Sequence, residues 1–375
     1  MNDLFDTVVL IPSLHPDHLL SEYADQLIQT GFHRIVIVDD GSGEDRQYQD
    51  IFERLNSLPE CMVIGYSENH GKGYALKHGM QYIAQTFPDA PGIVTADSDG
   101  QHTASDVLKL ANRLQENDNA LLLGSRDFSQ ENVPLKSRFG NRMTSFFYLL
   151  LYGQWLPDTQ TGLRAFSSKL IPFMCAVPGD RFEYEMNVLI YCSRDKIPFD
   201  IVGIDTIYIA ENKSTHFRAF HDSMRIYSQL FGNFFRYASS SILSFLLDLF
   251  LFTLLDKWLL SLLFGDLLKT ADVHEYLHTY VAVGIARLVS SVFNYRLNKQ
   301  FVFEVKECKG AAVRYATLCV MTFLLSAGAT NLFHLLLNWE RTPVKIVIDT
   351  VLYFVNYRIQ RSWVFHDHTH KEALQ

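Results

Sequence analysis

Residues 92–102 read Gly-Ile-Val-Thr-Ala-Asp-Ser-Asp-Gly-Gln-His, an apolar run that ends in two carboxylates, an amide and an imidazole. The run predicts a strand over 92–99, near-continuously apolar because both faces of a parallel sheet are covered. The same grammar repeats on either side of it. Strands are expected at 7–13, 34–40, 62–67 and 120–126, with helical periodicity over 18–29 and 72–87 between them. Strand, helix, strand in this order implies right-handed crossovers and an open, mostly parallel α/β sheet. Ligands of such sheets bind beyond the carboxyl ends of the strands.

Three polar clusters fall at those ends. The second strand closes on Asp39-Asp40-Gly41-Ser42, the third leads into Asn69-His70-Gly71-Lys72-Gly73, and the fourth into Asp97, Asp99, Gln101 and His102. Asp97, Asp99 and Gln101 all present oxygen, the donor type that suits Mg²⁺ or Mn²⁺ holding a diphosphate. The same letters also make a capped turn, since Asp-Ser-Asp-Gly is good turn chemistry. Residues 69–73 place glycines and a lysine at a helix N-terminus, where free N–H groups and the helix dipole favour anions. The G-x-x-x-x-G-K-[ST] spacing of a P-loop is absent, and no G-x-G-x-x-G follows the first strand. A metal-assisted nucleotide-sugar site remains.

Composition bounds the rest. The 375 residues exceed one ordinary domain, and the net charge of −8 argues against nucleic acid as a partner. Cys61, Cys175, Cys192, Cys308 and Cys319 form no C-x-x-C pair and read as buried thiols in a reducing compartment. The first residues lack a basic n-region and run directly into a strand, so the catalytic half is expected in the cytosol.

The ordered motifs VDDGS, NHGKGYAL, ADSDGQH, GSR, DTQTGLRAF and RFEYEM resemble a family 2 glycosyltransferase of the GT-A fold. Within that family the likeness is to dolichol-phosphate mannose synthase and bacterial polyprenyl-phosphate hexosyltransferases, and it covers residues 5 to 230. The resemblance implies roles residue by residue. Pro12, Asp39 and Asp40 would hold the nucleoside end of the donor, with Lys72 nearby. Asp97, Asp99 and Gln101 would ligate a divalent metal, Mg²⁺ or Mn²⁺. Arg126 and Arg138 would face the phosphates of donor and acceptor, making Asp99, Arg126 and Arg138 the catalytic set. Asp158, Gln160, Thr161, Gly162 and Arg164 would line the floor, with Gln160 and Thr161 toward the acceptor and Arg164 toward the donor. Arg181, Glu183 and Glu185 would lie near the sugar, and Glu211 to Ser214 would approach the acceptor. Residues 13–17, Ser-Leu-His-Pro-Asp, depart from the Asn-Glu or Asn-Pro common in the family, which leaves no nucleotide role for His15. Arg138 also reads as part of a solvated helix face, Glu183 and Glu185 as helix-start carboxylates, and His102 as a hydrogen-bonded neighbour rather than a ligand.

Beyond residue 216 the character changes. A segment over 217–235 carries Phe217, Phe220, Met224, Tyr227, Leu230 and Phe231 at helical spacing, as an interfacial helix would. Four apolar spans are expected at 236–262, 276–298, 312–337 and 342–362, with 366–375 as a tail. Arg236, Arg296, Lys299, Lys306, Lys309, Arg314, Arg358 and Arg361 would share one side, which predicts that both termini and the catalytic domain are cytoplasmic. The spans repeat as a hairpin: Arg236-Tyr237 matches Arg314-Tyr315, and Asn294-Tyr295-Arg296 matches Asn356-Tyr357-Arg358. Val302-Phe303 and Val364-Phe365 follow at the same distance. This tandem pair resembles the GtrA-like family. Asp248, Arg287 and Asp349 fall inside spans, where ionisable groups are paired, and Arg287 is expected to pair with one or both aspartates.

The expected architecture is a GT-A α/β catalytic domain (1–216), an interfacial segment (217–235) and an all-α four-helix membrane domain (236–365). The expected reaction is inverting transfer of mannose or glucose from GDP-mannose or UDP-glucose to polyprenyl phosphate at an inner membrane. A lipid-linked-sugar flippase with a vestigial transferase half, and a glycan-extending synthase, are the alternatives.

Overall fold

The computed structural model describes residues 6–128, 133, 135–205, 219–255, 272–305, 310–337 and 340–365. The chain forms two compact units, Met1–Leu230 and Phe231–Ala373. In the first, β1 (Val8–Ser13), α1 (His18–Thr30), β2 (Ile35–Asp40), α2 (Arg46–Asn56), β3 (Cys61–Tyr66), α3 (Lys72–Thr86), β4 (Gly92–Thr95), α4 (Ala104–Glu116) and β5 (Leu121–Arg126) follow in strict alternation. Then come α5 (Leu135–Tyr152), β6 (Arg164–Ser167), α6 (Ile171–Ala176), α7 (Glu183–Asp195) and β7 (Phe199–Ile204).

Among the described residues these strands make one sheet in the order β3-β2-β1-β4-β6-β5-β7. Every pairing is parallel except those of β6, which runs antiparallel between β4 and β5. The five expected strands are therefore present, and β6 and β7 are additions to them. The strand expected over 92–99 stops at Thr95. There Thr95 Oγ1 donates to the Gly162 carbonyl at 2.9 Å, and the chain turns away with Gly100 at φ +72°. Asp97 and Asp99 thus sit on a loop rather than on the strand.

Strand alternation divides the core. Val9, Ile11, Ile35, Ile37 and Val94 pack with Leu20, Leu27, Phe52, Leu55, Val107 and Leu110 from α1, α2 and α4. Leu10 and Val38 point the other way, against Gly79 of α3. The order of strands reverses its direction of growth between β1 and β4, and at such a switch point the loops splay apart and leave a crevice. Helices α1, α2 and α4 start on Asp17, Asp45 and Thr103, each accepting a backbone N–H of the first turn. Helix α3 starts at Gly71 with no such side-chain cap.

The second unit is helical. Helix α8 (Ala219–Leu254) begins in the first unit and ends in the second, so the segment expected to lie at an interface is continuous with the first span. Next come α9 (Asp272–Leu297), α10 (Ala311–Leu337) and α11 (Arg341–Ile359). Tyr227–Leu254 and Ala311–Leu336 are long and apolar enough to cross a membrane. Val320, Phe323, Leu324 and Leu335 of α10 are each at least 60% exposed, a surface that calls for lipid rather than water.

The hairpin repeat read from the sequence is a structural repeat. Each copy ends in one turn of π-helix at the same place, Asn298–Val302 and Gln360–Val364. Arg236 Nη1 reaches the Phe301 carbonyl, and Arg314 Nη1 the equivalent Trp363 carbonyl. Tyr295 of the first copy packs on Phe365 of the second, Tyr357 of the second packs on Phe303 of the first, and Phe303 stacks on Phe365 at 5.1 Å. Arg287 Nη2 lies 3.5 Å from Asp248 Oδ2, as expected, whereas Asp349 is held by Lys345 and Ser326.

Candidate active site

The crevice beyond β1 and β4 gathers charged side chains from three separate stretches of chain. Lys72, the first residue of α3, places Nζ 2.7 Å from Asp97 Oδ1 and 2.9 Å from Glu185 Oε1 on α7. On the other side of Asp97, His102 Nε2 lies 3.4 Å from Oδ2, so His102 is a neighbour of the carboxylate, as the sequence implied. Gly162 closes the floor: a Cβ there would collide with both Asp97 oxygens. Gly71, at φ +104°, does the same for the helix start, because a Cβ would lie 2.6 Å from Arg181 Cγ.

The electrostatics of the loop are uneven. Burial alone would raise the Asp97 carboxyl, yet Lys72 and His102 hold it below the usual carboxylate range. Burial would also lower the Lys72 ammonium, and Asp97 with Glu185 reverses this and holds it raised. Burial and the adjacent Asp97 charge push the Asp99 carboxyl up. Its Oδ1 accepts the backbone N–H of Gln101 at 3.1 Å. One carboxylate is thus neutralised internally and its neighbour is short of positive charge, which fits a divalent cation with oxygen ligands from Asp97, Asp99 and Gln101. Among the described residues no three His, Cys, Asp or Glu side chains gather into a cage.

Arg126, at the end of β5, forms a two-point pair with Asp158: Nε to Oδ2 is 2.7 Å and Nη2 to Oδ1 is 3.1 Å. The Asp158 side chain is fully buried while that of Arg126 is 21% exposed, so the guanidinium is fixed from beneath. Arg138 lies on α5, three residues before Asn141 and hence on the same helix face. Asn141 ties α5 to the same loop, donating to the Pro157 carbonyl at 2.6 Å and accepting from Thr159 N at 3.2 Å.

Several expected contacts change character. Asp40 is 4% exposed and its oxygens accept from Tyr66 Oη, Asn69 Nδ2, His70 N and Gly71 N. It anchors the loop before α3 with both oxygens, whereas Asp39 Oδ1 accepts from Ser42 N and Asp39 stays half-buried at the strand end. Thr161 is 1% exposed and its hydroxyl accepts from Leu163 N, so it shapes the floor of the site. Arg164, 5% exposed, donates to the Thr161 and Glu185 carbonyls and stands beneath the site, not in it. Glu183 accepts from the N–H groups of Asp180 and Arg181, the helix-start reading of that residue. Gln160 remains exposed, Pro12 is buried at the end of β1, and Arg181 lines a groove with His70, Gly179, Asp180, Glu183 and Gln229. Residues 211–214, Ser214 included, lie outside the described residues. Sequence reasoning missed Asn141 and Tyr66, whose roles arise from long-range contacts.

Residues 9–172 match the family model for glycosyl transferase family 2, and residues 236–365 match the GtrA/DPMS transmembrane domain. The chain is a family 2 glycosyltransferase joined to a GtrA/DPMS transmembrane domain. Its first unit has the mostly parallel sheet of the GT-A type, and the glycosyltransferase carries its Asp-Ser-Asp loop at the switch point of that sheet. The transferase is 28% identical to the UDP-N-acetylglucosamine–dolichyl-phosphate N-acetylglucosaminyltransferase of Methanococcus voltae, over 53% of this chain and 85% of that one. It is 29% identical to an uncharacterized protein of Methanocaldococcus jannaschii, over 53% and 81%. Identity to the dolichyl-phosphate beta-glucosyltransferase of Saccharomyces cerevisiae is 28%, over 45% and 55%. Among solved structures, the mannosyl-3-phosphoglycerate synthase of Rubrobacter xylanophilus superposes with a TM-score of 0.47 at 13% identity, over 62% of this chain and 75% of that one.

Proposed function

We propose that this glycosyltransferase moves a hexose, mannose or glucose, from GDP-mannose or UDP-glucose to polyprenyl phosphate with inversion at the anomeric carbon. The observation that carries the reading is the pairing of a donor-type Asp97/Asp99 loop with a GtrA/DPMS transmembrane domain in one chain. The names of the Methanococcus voltae and yeast relatives, both acting on dolichyl phosphate, support a lipid phosphate acceptor.

The residues suit that chemistry. A phosphate monoester is already anionic at neutral pH, so attack on the anomeric carbon requires no strong general base. Alignment and positive charge matter more. Arg126, at the end of β5 and fixed by Asp158, supplies a guanidinium, the group whose geometry suits a phosphate. No side chain caps the N-terminus of α3, and although Tyr74 N donates to the Asp180 carbonyl at 2.9 Å, the positive end of the helix dipole there favours the donor diphosphate. A divalent ion held by Asp97, Asp99 and Gln101 would neutralise the diphosphate as it leaves. The basic residues at one end of the spans favour a cytoplasmic active site on an inner membrane, with four crossings.

The test is transfer of label from GDP-mannose and UDP-glucose to undecaprenyl phosphate by the purified chain, with and without Mn²⁺. Metal-dependent label in the lipid, lost in Asp99→Asn, supports the reading. Lipid movement across vesicles without any transfer from either donor would instead favour a flippase.

A further inference from the structure

We propose that Lys72 is an internal stand-in for the metal: its ammonium occupies Asp97 until a nucleoside diphosphate brings the divalent ion. The inference rests on the metal-assisted reading above. Three observations carry it. First, Lys72 Nζ is 2.7 Å from Asp97 Oδ1, one of the two oxygens a cation could take, and its side chain is only 18% exposed. Second, Glu185 holds the same ammonium at 2.9 Å, with its own side chain 15% exposed, so Lys72 has a second anchor to keep when Asp97 is taken. Third, Gly73 packs against Tyr184 and Arg181, and Gly71 against Arg181, so the start of α3 cannot withdraw far.

The charge consequences follow directly. A divalent ion at Asp97 and Asp99 without a diphosphate would sit beside a fixed ammonium, and like charges at this range repel strongly in a partly buried site. A diphosphate reverses the balance, because it adds negative charge that both the ion and Lys72 can face. Lys72 therefore couples ion and donor: each binds well only with the other. Lys72 and His102 keep Asp97 paired within the protein itself.

Calorimetric titration of the full chain in detergent with Mn²⁺ alone, and with Mn²⁺ plus UDP or GDP, tests this without any turnover. Wild type is expected to bind Mn²⁺ about tenfold or more tighter in the presence of the nucleotide. Lys72→Met is expected to bind Mn²⁺ alone about tenfold tighter than wild type and to lose most of that coupling. Lys72→Arg keeps the charge and is expected to keep the coupling, which separates the effect from a packing defect. Lys77→Met, which removes a cation bound to Asp180 and the Gly179 carbonyl, controls for general charge and should leave Mn²⁺ affinity unchanged. If Lys72→Met gains nothing for Mn²⁺ alone while wild type still takes Mn²⁺ with nucleotide, the inference is overturned and the metal reading stands. If neither protein takes Mn²⁺ even with UDP or GDP, both fall together.

Discussion

Asn298 and Gln360, sixty-two positions apart and equivalent in the two membrane hairpins, hydrogen-bond directly to each other, Asn298 Nδ2 donating to Gln360 Oε1 at 2.9 Å. Both are buried, at 0% and 5% exposure. Asn298 also donates to Asn294 and accepts from Ser240, and Gln360 donates to Tyr237 Oη at 3.2 Å. The two copies of the repeat thus meet through one satisfied amide network. Replacing either residue by leucine leaves several buried partners unsatisfied, which should destabilise the chain by about 1–3 kcal/mol. Denaturant titration in detergent should show that loss for Asn298→Leu and Gln360→Leu alike. A double mutant no worse than the worse single would show that they act as one unit.

The Asp248–Arg287 pair makes a second prediction for the same unit. Arg287 keeps a 70% exposed side chain on a helix within the transmembrane domain, and Asp248 supplies its counter-charge from the neighbouring helix at 3.5 Å. Ser290 Oγ donates to the same aspartate at 2.9 Å. Asp248→Leu should strip the compensation and lower stability by about 1–3 kcal/mol, no more than the insertion cost of about 2.5–3.5 kcal/mol for a central arginine. Adding Arg287→Leu should restore most of it. Thermal unfolding of the three variants in one detergent decides: a double mutant as unstable as Asp248→Leu would mean the pair is not what matters.

Asp39 and Asp40 are adjacent letters with opposite consequences. Asp40→Ala removes the acceptor for Tyr66 Oη and for the N–H groups of His70 and Gly71, so it should destabilise the first unit by about 2–4 kcal/mol. Asp39→Ala frees little more than the Ser42 N–H and should cost about 1 kcal/mol, while raising the donor KM. Urea unfolding beside donor titration separates the two. Equal losses of stability would contradict the assignment.

That pair also marks how far the letters reach. The strands β1 to β5 were legible because each is a buried run bounded by turn residues, and the hairpin repeat because its Asn-Tyr-Arg spacing is duplicated. β6 was not, since Arg-Ala-Phe-Ser is four residues long and opens on an arginine that only a buried pair of carbonyls can accommodate. Motif likeness placed Asp40, Thr161 and Arg164 in the site by proximity in sequence. Their side chains are instead occupied by neighbouring backbone and side-chain groups, which no motif records. The Lys72–Asp97 contact was out of reach because it joins a helix start to a loop 25 residues away.

Asp158 gives the last prediction, because among the described residues it holds Arg126 and its own loop. Its Oδ2 accepts from Arg126 Nε and its Oδ1 from both Arg126 Nη2 and Gln160 N, with the carboxylate wholly buried. In Asp158→Asn the amide can accept from one guanidinium nitrogen but must present its own N–H₂ to the other. Arg126 should then swing off its fixed direction while the fold survives. A guanidinium that positions a phosphate loses transition-state stabilisation when it is free to rotate, so kcat should fall by about 100-fold. Arg126→Lys should fall comparably, because an ammonium cannot keep two-point contact with Asp158 and still offer donors to a phosphate. Once either change is made the other should add little, since both remove the same fixed guanidinium. Steady-state transfer by the two single variants and the double variant measures this. Losses that multiply in the double variant would mean that Asp158 acts on the reaction by a route separate from Arg126.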